Sequence, residues 1–270
     1  MAKQYAWSNT ERERDRLARQ GEQLRPATDK LFRAAGIGPG ARVLDCGSGG
    51  GDVAIIVADL VGSSGEVLGI DRDPDNVEAA SRRVADLGLS HVRFETGDIS
   101  VPPEGPFDAI VGRLVLMYQP DLEAVLSALA DRLVAGGVMA FLEFEHMSSA
   151  GVIMSPQSPS IEQLSRWMTA GFLATGVPER VASRLPSVLR SIGLVPQPPY
   201  EVSGLVYHGA DVVDHVSTLL RGLSGVLTTN GIASEDELDI DVFAERVRVE
   251  CGPDPVLMVS PNLAVWAKKP

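Results

Sequence analysis

Three acids and one glycine loop carry the chemistry that can be read first. The stretch "RVLDCGSGGGD", Arg42–Asp52, ends a short apolar run on Asp45 and then turns through Gly47, Gly49, Gly50 and Gly51. Glycines at that density let a ligand approach the backbone, and two common cofactor classes use such loops. The dinucleotide pattern G-x-G-x-x-G read from Gly47 puts Asp52 where the third glycine belongs. Read from Gly49 it finds Gly51 and then Ala54, a permitted variant. Asp45 discriminates better than spacing. A carboxylate beside a pyrophosphate is unfavourable, whereas a cationic or zwitterionic ligand is attracted to it. Asp71, in "GIDRD", follows Gly51 by 20 residues, where an acid accepts from ribose hydroxyls. Asp98, in "ETGD", can accept from an exocyclic adenine amine. Three acids at three successive strand tips describe a site for an adenosine that bears positive charge and no phosphate.

A second group of residues could move a proton. Glu143 and Glu145 lie two apart in an apolar strand, so they share a face near its end. Buried carboxylates must be paired, solvated or used. His146 follows directly, and Glu145 or His146 is placed to take a proton from a hydroxyl, an amine or an acidic carbon. The alternative is that they only pin a lid by hydrogen bonds. No metal is expected, because nothing else completes a ligand set with these three at recognised spacing. His91 belongs at the opposite, amino edge of the sheet. His208, His215, Trp167 and Met168 read as core or surface residues before they read as substrate contacts. Tyr5 and Trp7 precede the first helix and are candidates to fold over the cofactor.

The elements that must position these groups are legible from periodicity. Ser8 and Glu11 have capping-box spacing, which starts a charged helix running to Ala35 with an interruption expected near Pro26. Then "ARVLDCG", "GEVLGIDRD", "HVRFETGD", "PFDAIVGRLVLMY" and "VMAFLEFE" read as buried strands. They alternate with helices at "DVAIIVADLVG", "DPDNVEAASRRVADLG" and "PDLEAVLSALADRLVAGG". This alternation predicts an α/β, doubly wound, Rossmann-like sheet with ligands at the carboxyl ends of its strands. Beyond Glu145, "IEQLSRWMTAGFLATG", "PERVASRLPSVLRSIGL", "VVDHVSTLLRGLSGVL" and "EDELDIDVFAERVRVEC" read as helices. "YEVSGLVYH" and "VLMVSPNLAVWAKKP" each read as one strand. The expected organisation is a helical cap over residues 1–36, a cofactor-binding core over 37–146, and remaining strands with inserted lid helices over 147–270. All three belong to one structural domain, with the lid at roughly 147–176 and 210–250.

Composition narrows the partners. The net charge of −12 and pI near 4.8 oppose a nucleic-acid substrate, and aromatics at 5% leave little for stacking on single strands. Two cysteines, Cys46 and Cys251, form neither a disulfide framework nor a metal set. Neither a signal peptide nor an eighteen-residue apolar run is visible, which predicts a cytoplasmic protein without membrane contact.

Taken in order and spacing, "VLDCGSGGGD", "VLGIDRD", "FETGDI" and "FDAIVGRLVLMY" resemble the motifs of class I S-adenosylmethionine-dependent methyltransferases. The resemblance is close over residues 41–145. "NTERERDRLARQGEQL" and "GRLVLMYQPD" are similar to the small-molecule branch that includes quinone and natural-product enzymes. It implies a mainly parallel seven-stranded sheet. It also implies that Gly47, Gly49 and Gly51 bring backbone to the methionine part and ribose, and that Asp45 sits near the methionine amino group. Asp71 would take the ribose hydroxyls with Arg72 beside the adenine. Asp98 and Ile99 would hold and cover the adenine, and Gly112 and Arg113 would line the methionine end. Cys46 stands where an aliphatic residue is usual and reads as a buried filler. "GRLVLMY" lacks the Asn/Asp-Pro-Pro-aromatic motif used on the planar amines of nucleobases, so the expected acceptor is a small molecule of secondary metabolism, methylated on O, C or N. Two other readings stay open at this point: an enzyme of the same fold that binds the cofactor but catalyses a cyclisation or isomerisation, and a nicotinamide-dependent oxidoreductase. The assembly state is open, with a homodimer as one option.

Overall fold

The runs that precede Asp45 and Asp71 become parallel strands covered on both faces, which excludes polar alternation, whereas the edge strand before Asp98 alternates buried Val92 and Phe94 with exposed Arg93 and Glu95. The computed structural model describes residues 11–145, 153–177, 180–259 and 261–270. In chain order the elements are α1 (Glu11–Ala34), β1 (Arg42–Cys46), α2 (Asp52–Val61), β2 (Glu66–Asp71), α3 (Pro74–Asp86), β3 (Val92–Thr96), β4 (Phe107–Arg113), a 3-10 turn (Leu116–Tyr118), α4 (Leu122–Ala130) and β5 (Leu133–Phe144). They continue with β6 (Ile153–Ser155), α5 (Pro159–Ala174), α6 (Val181–Ser191), β7 (Val195–Pro196), β8 (Glu201–Ser203), β9 (Val206–His208), α7 (Ala210–Thr229), α8 (Ile240–Cys251), β10 (Val256–Met258) and β11 (Asn262–Lys268).

The chain's contacts gather into two compact units. The larger comprises Gln20–Phe144, Val181–Ser203 and Asn262–Pro270. Its sheet runs β3-β2-β1-β4-β5-β11-β7, with β8 paired to β11 off this path. β3, β2, β1, β4 and β5 are parallel, and β11 returns antiparallel to β5. The expected Rossmann-like, mainly parallel seven-stranded path is therefore present, with one short extra strand. α2 and α3 pack on the β1–β3 side, and α4 and α6 pack along β5. α2, "DVAIIVADLV", buries eight of its ten residues, which makes it a core element rather than a surface helix. Phe32, Phe107 and Phe141 are fully buried in the same core, each contributing about 1.5–3 kcal/mol relative to exposure.

The smaller unit draws its described residues from Met1–Arg19, Glu145–Arg180 and Gly204–Pro261. α5, α7 and α8 pack together, and Trp167 meets Phe243 at 5.9 Å between ring centroids. A three-stranded antiparallel sheet, β6-β10-β9, completes it. Ser158 caps α5, and Glu250 of α8 accepts from the Ser158 hydroxyl and from the Ser160 amide and hydroxyl at 2.5, 3.0 and 2.8 Å.

Four details differ from the sequence expectation, each for a local reason. α1 is continuous through Pro26. That proline is on the exposed face, where water can satisfy the carbonyl freed by the missing N–H. α4 stops at Ala130 instead of Gly137, since Leu133 already pairs with Phe107 and the regular ladder resumes at Val138 opposite Ala109. "YEVSGLVYH" divides at Gly204 into β8 of the large sheet and β9 of the small one. "VLMVSPNLAVWAKKP" likewise divides into β10 and β11.

Candidate functional site

Parallel pairing brings the ends of β1, β2, β3 and β4 to one edge. Asp45 registers with Gly69 and Val111, Cys46 with Ile70 and Gly112, and Asp71 with Thr96. The loop that leaves β1 at this edge is left-handed at Gly47, Gly49 and Gly51, with φ of 66°, 49° and 83°. Two of these glycines have distinct reasons. A Cβ on Gly47 would lie 2.4 Å from Val115 Cγ2, so the space is already taken by protein. A Cβ on Gly49 would meet nothing within 4 Å, so backbone there faces open space.

The loop is held by backbone and by one acid. The Ser48 amide donates to the Ile70 carbonyl at 2.9 Å, and the Gly51 amide donates to Ser48 at 2.8 Å. The Gly49 amide donates to Asp71 Oδ2 at 2.8 Å. Asp71 Oδ1 accepts from the Asp73 amide at 3.0 Å and from Asn76 Nδ2 at 3.3 Å. Arg83 closes the outer side, bonding the Gly50 carbonyl at 2.9 Å and Asp52 at 2.6 Å.

Asp45 is fully buried, and neither of its carboxyl oxygens has a hydrogen-bond partner among the described residues. Burial pushes its pKa up to about 7; the Arg113 guanidinium and the Ala54 amide oppose that rise, and Asp71 and Asp52 add to it. Cys46, equally buried, has its thiol pushed well up by burial and by Asp45, so it is an inert filler on the sheet.

At the next two tips, Arg72 Nη2 pairs with Asp98 Oδ2 at 2.8 Å, while Asp98 Oδ1 accepts from the Ser100 amide and hydroxyl at 2.9 and 2.8 Å. Burial alone would raise the Asp98 carboxyl, but the bonds from Ser100 and Arg72 outweigh it and hold it below its ordinary value. Ile99 beside it is buried. Gly112 packs against Phe141 and Val115, with a Cβ there 2.8 Å from Phe141 Cε1. The Arg113 side chain is only 9% exposed and reaches α1, donating to the Gly21 carbonyl at 3.3 Å and to Thr28 Oγ1 at 3.4 Å; it also lies 3.7 Å from Asp52 Oδ2. Burial lowers its pKa, and Asp52 and Asp45 partly restore it.

β5 contributes a residue whose partner the sequence did not disclose. Glu143 is fully buried, and its Oε1 accepts the amides of Val115 and Leu116, each at 3.0 Å. Burial raises its carboxyl to about 7, against the pull of the Leu116, Val115 and Met117 amides. Glu145, just past the strand, is buried, and its amide donates to the Pro261 carbonyl at 2.9 Å. His146 lies outside the described residues, as do Tyr5 and Trp7. His208 is exposed on β9, His215 stacks on Tyr207 at 3.8 Å between ring centroids, and Trp167 is core, all within the smaller unit. Gly21 of α1 packs against Asp52 and Arg113. An isolated glycine in a helical pattern signals close packing, and a Cβ there would fall 2.5 Å from Asp52 Oδ2. No group of three or more metal-ligating side chains occurs among the described residues, nor any helix long and apolar enough to cross a membrane.

Comparison with known proteins identifies the family. A family model described as a methyltransferase domain matches residues 37–178. A 2-phytyl-1,4-naphtoquinone methyltransferase of Synechococcus elongatus is 31% identical over 197 residues, which are 70% of this chain and 78% of that protein. An aklanonic acid methyltransferase of Streptomyces sp. strain C5 is 36% identical over 104 residues, 38% of this chain and 47% of that protein. Among solved structures, the YcgJ protein of Bacillus subtilis shares the fold at a TM-score of 0.61 and 18% identity, over 90% of this chain and 97% of that one. The residues present fit a sulfonium nucleoside: a buried carboxyl that closes no hydrogen bond among the described residues, beside glycine backbone that faces open space.

Proposed function

The chain belongs to the S-adenosylmethionine-dependent methyltransferases, and from that premise we propose that it methylates a small aromatic or quinone-like acceptor of secondary metabolism, on oxygen or carbon. The observation that carries the cofactor side is Asp45, a fully buried carboxyl neither of whose oxygens closes a hydrogen bond among the described residues. Its role is to hold the ammonium of the methionine part. Gly47, Gly49 and Gly51 give that part and the ribose access to backbone, and the side chain of Cys46 only fills. Asp71 takes the ribose hydroxyls. A carboxylate offers about four acceptor positions, and three are already engaged, so the Asn76 contact at 3.3 Å is the one that yields. Asp98 accepts from the adenine amine, Ile99 covers the ring, and Arg72 closes over its edge. Gly112 and Arg113 complete the methionine end, Arg113 by fixing Asp52 and α1 rather than by touching the ligand.

S-adenosylmethionine, when bound, supplies a methyl group already activated on sulfur. What remains for the protein is alignment, exclusion of water and, for a protonated acceptor, removal of one proton. Glu145 or His146 takes that proton. Selectivity for the acceptor resides in residues outside the cofactor-binding segment. The relatives that act on a phytyl-naphthoquinone and on aklanonic acid, together with the acidic surface, favour such an acceptor over a nucleic acid. The same reading places the enzyme in the cytoplasm, with a homodimer as its simplest assembly.

The test is incubation with methyl-labelled S-adenosylmethionine and two acceptor sets, prenylated naphthoquinones and aromatic polyketide acids, followed by mass spectrometry. Labelled product with one S-adenosylhomocysteine per turnover supports the proposal. Acceptor conversion without S-adenosylhomocysteine overturns it in favour of a cyclase or isomerase. Stabilisation by a nicotinamide dinucleotide and not by S-adenosylmethionine overturns the cofactor assignment.

A further inference from the structure

The turn after β4 is unusual in its backbone. Leu114 adopts φ 56°, a left-handed conformation that a branched side chain disfavours. Such a residue persists where its surroundings over-determine it. Here the Leu114 amide is tied to the Leu142 carbonyl at 3.0 Å, and the next two amides, of Val115 and Leu116, converge on one carboxyl oxygen of Glu143. The side chain of Val115 is thereby driven between two glycines. Its Cγ2 lies 2.4 Å from where a Cβ on Gly47 would be, and its Cγ1 3.0 Å from where one on Gly112 would be. Gly47 opens the cofactor loop, and Gly112 ends the strand beside it.

We propose that Glu143 is a positioning residue for the cofactor: by gathering the amides of the turn after β4, it sets Val115 as a wedge that fixes the start of the glycine loop. This rests on the cofactor reading above. The role rests on an acceptor oxygen at the position of Oε1, which takes both amides. An amide can therefore replace the carboxyl in this role, and a hydrocarbon cannot, because it leaves one buried and one part-buried amide unpaired.

Calorimetric titration with S-adenosylmethionine and S-adenosylhomocysteine tests this without knowledge of the acceptor. Glu143→Gln is expected to bind both within about threefold of wild type, its carbonyl accepting the same two amides. Glu143→Leu is expected to bind them at least about tenfold more weakly. Val115→Ala keeps the turn's hydrogen bonds but removes the wedge, and is expected to weaken binding about three- to tenfold. The double variant Glu143→Leu/Val115→Ala is expected to lose no more than Glu143→Leu alone, because both act through one contact. Melting temperatures are recorded alongside. A purely structural Glu143 would lower the melting temperature of Glu143→Leu and leave its dissociation constants where they were, and that result overturns the proposal. So does wild-type affinity in Val115→Ala, a result that does not depend on whether Glu143→Leu folds. A Gln variant as weak as the Leu variant overturns it as well. Failure of the wild-type protein to bind either ligand is a different outcome, and sinks the cofactor reading itself.

Discussion

The tips of β1 and β5 both end in a fully buried carboxyl raised to about 7 by burial, yet they are in opposite situations. Glu143 has spent its charge on the protein, gathering two backbone amides of a neighbouring turn. Asp45 gathers nothing comparable: neither oxygen closes a hydrogen bond among the described residues, and the Arg113 guanidinium and the Ala54 amide offset only part of its burial. A buried carboxyl with partners acts through the groups it gathers. One without partners is a cost carried by the fold, about 1–3 kcal/mol or more for an unsatisfied polar group, and such a cost points to a ligand that removes it.

The largest effect is expected at Asp45. Asp45→Asn should weaken S-adenosylmethionine about 30-fold or more, the loss typical when one partner of a buried charge pair is removed. The ligand-free variant should melt at or above the wild-type temperature at pH 8, since an unpartnered charge has gone. A lower melting temperature with unchanged affinity would make Asp45 a purely structural group and erase the contrast. Next comes Gly49→Ala. The residue has room but sits at φ 49°, so the substitution should cost about 1–2 kcal/mol in stability by thermal or urea unfolding.

The third prediction concerns pH. A carboxyl raised from about 4 to about 7 is protonated in the folded protein and ionised in the unfolded chain between those values, so the folded state binds more protons. Stability is therefore greatest below the unfolded value and falls as pH rises through about 7. The bound cofactor favours the ionised Asp45, so its affinity should rise instead, about eightfold from pH 6 to 7.5 for a group titrating at 7. Calorimetry at both pH values should show this in wild type and lose it in Asp45→Asn. A flat profile in wild type would separate Asp45 from the ligand. The smallest effect belongs to Arg72→Ala. The Arg72–Asp98 pair is about half exposed, so its removal should change stability by less than about 1 kcal/mol and cofactor affinity by only a few-fold.

How much was legible before the structure follows from where the determinants lie. β1 through β4 and the acids at their tips are local patterns, an apolar run ending in a charge, and the sheet order follows from alternation with helices. The end of α4 was not legible, because "DRLVAGG" is equally consistent with a helix end and a strand start; pairing of Leu133 with Phe107, 26 residues away, decides it. The break at Gly204 is decided in the same way, by two different sheets competing for one apolar segment. The sequence marks Glu143 as an acid that needs pairing, solvation or use, but its partners are backbone amides. Every residue has an amide, so no residue type could reveal which ones it meets.

Gly21 offers a different kind of record. Glycine inside a helix costs about 1 kcal/mol against alanine, so random substitution over evolutionary time should remove it wherever a methyl group is tolerated. At this position a methyl would fall 2.5 Å from Asp52 Oδ2 and 3.2 Å from Arg113 Nη2. Among homologues, a glycine kept at this point of the first helix should therefore travel with the Asp52–Arg113 pair. Lineages that have lost the pair should be free to place alanine or serine there.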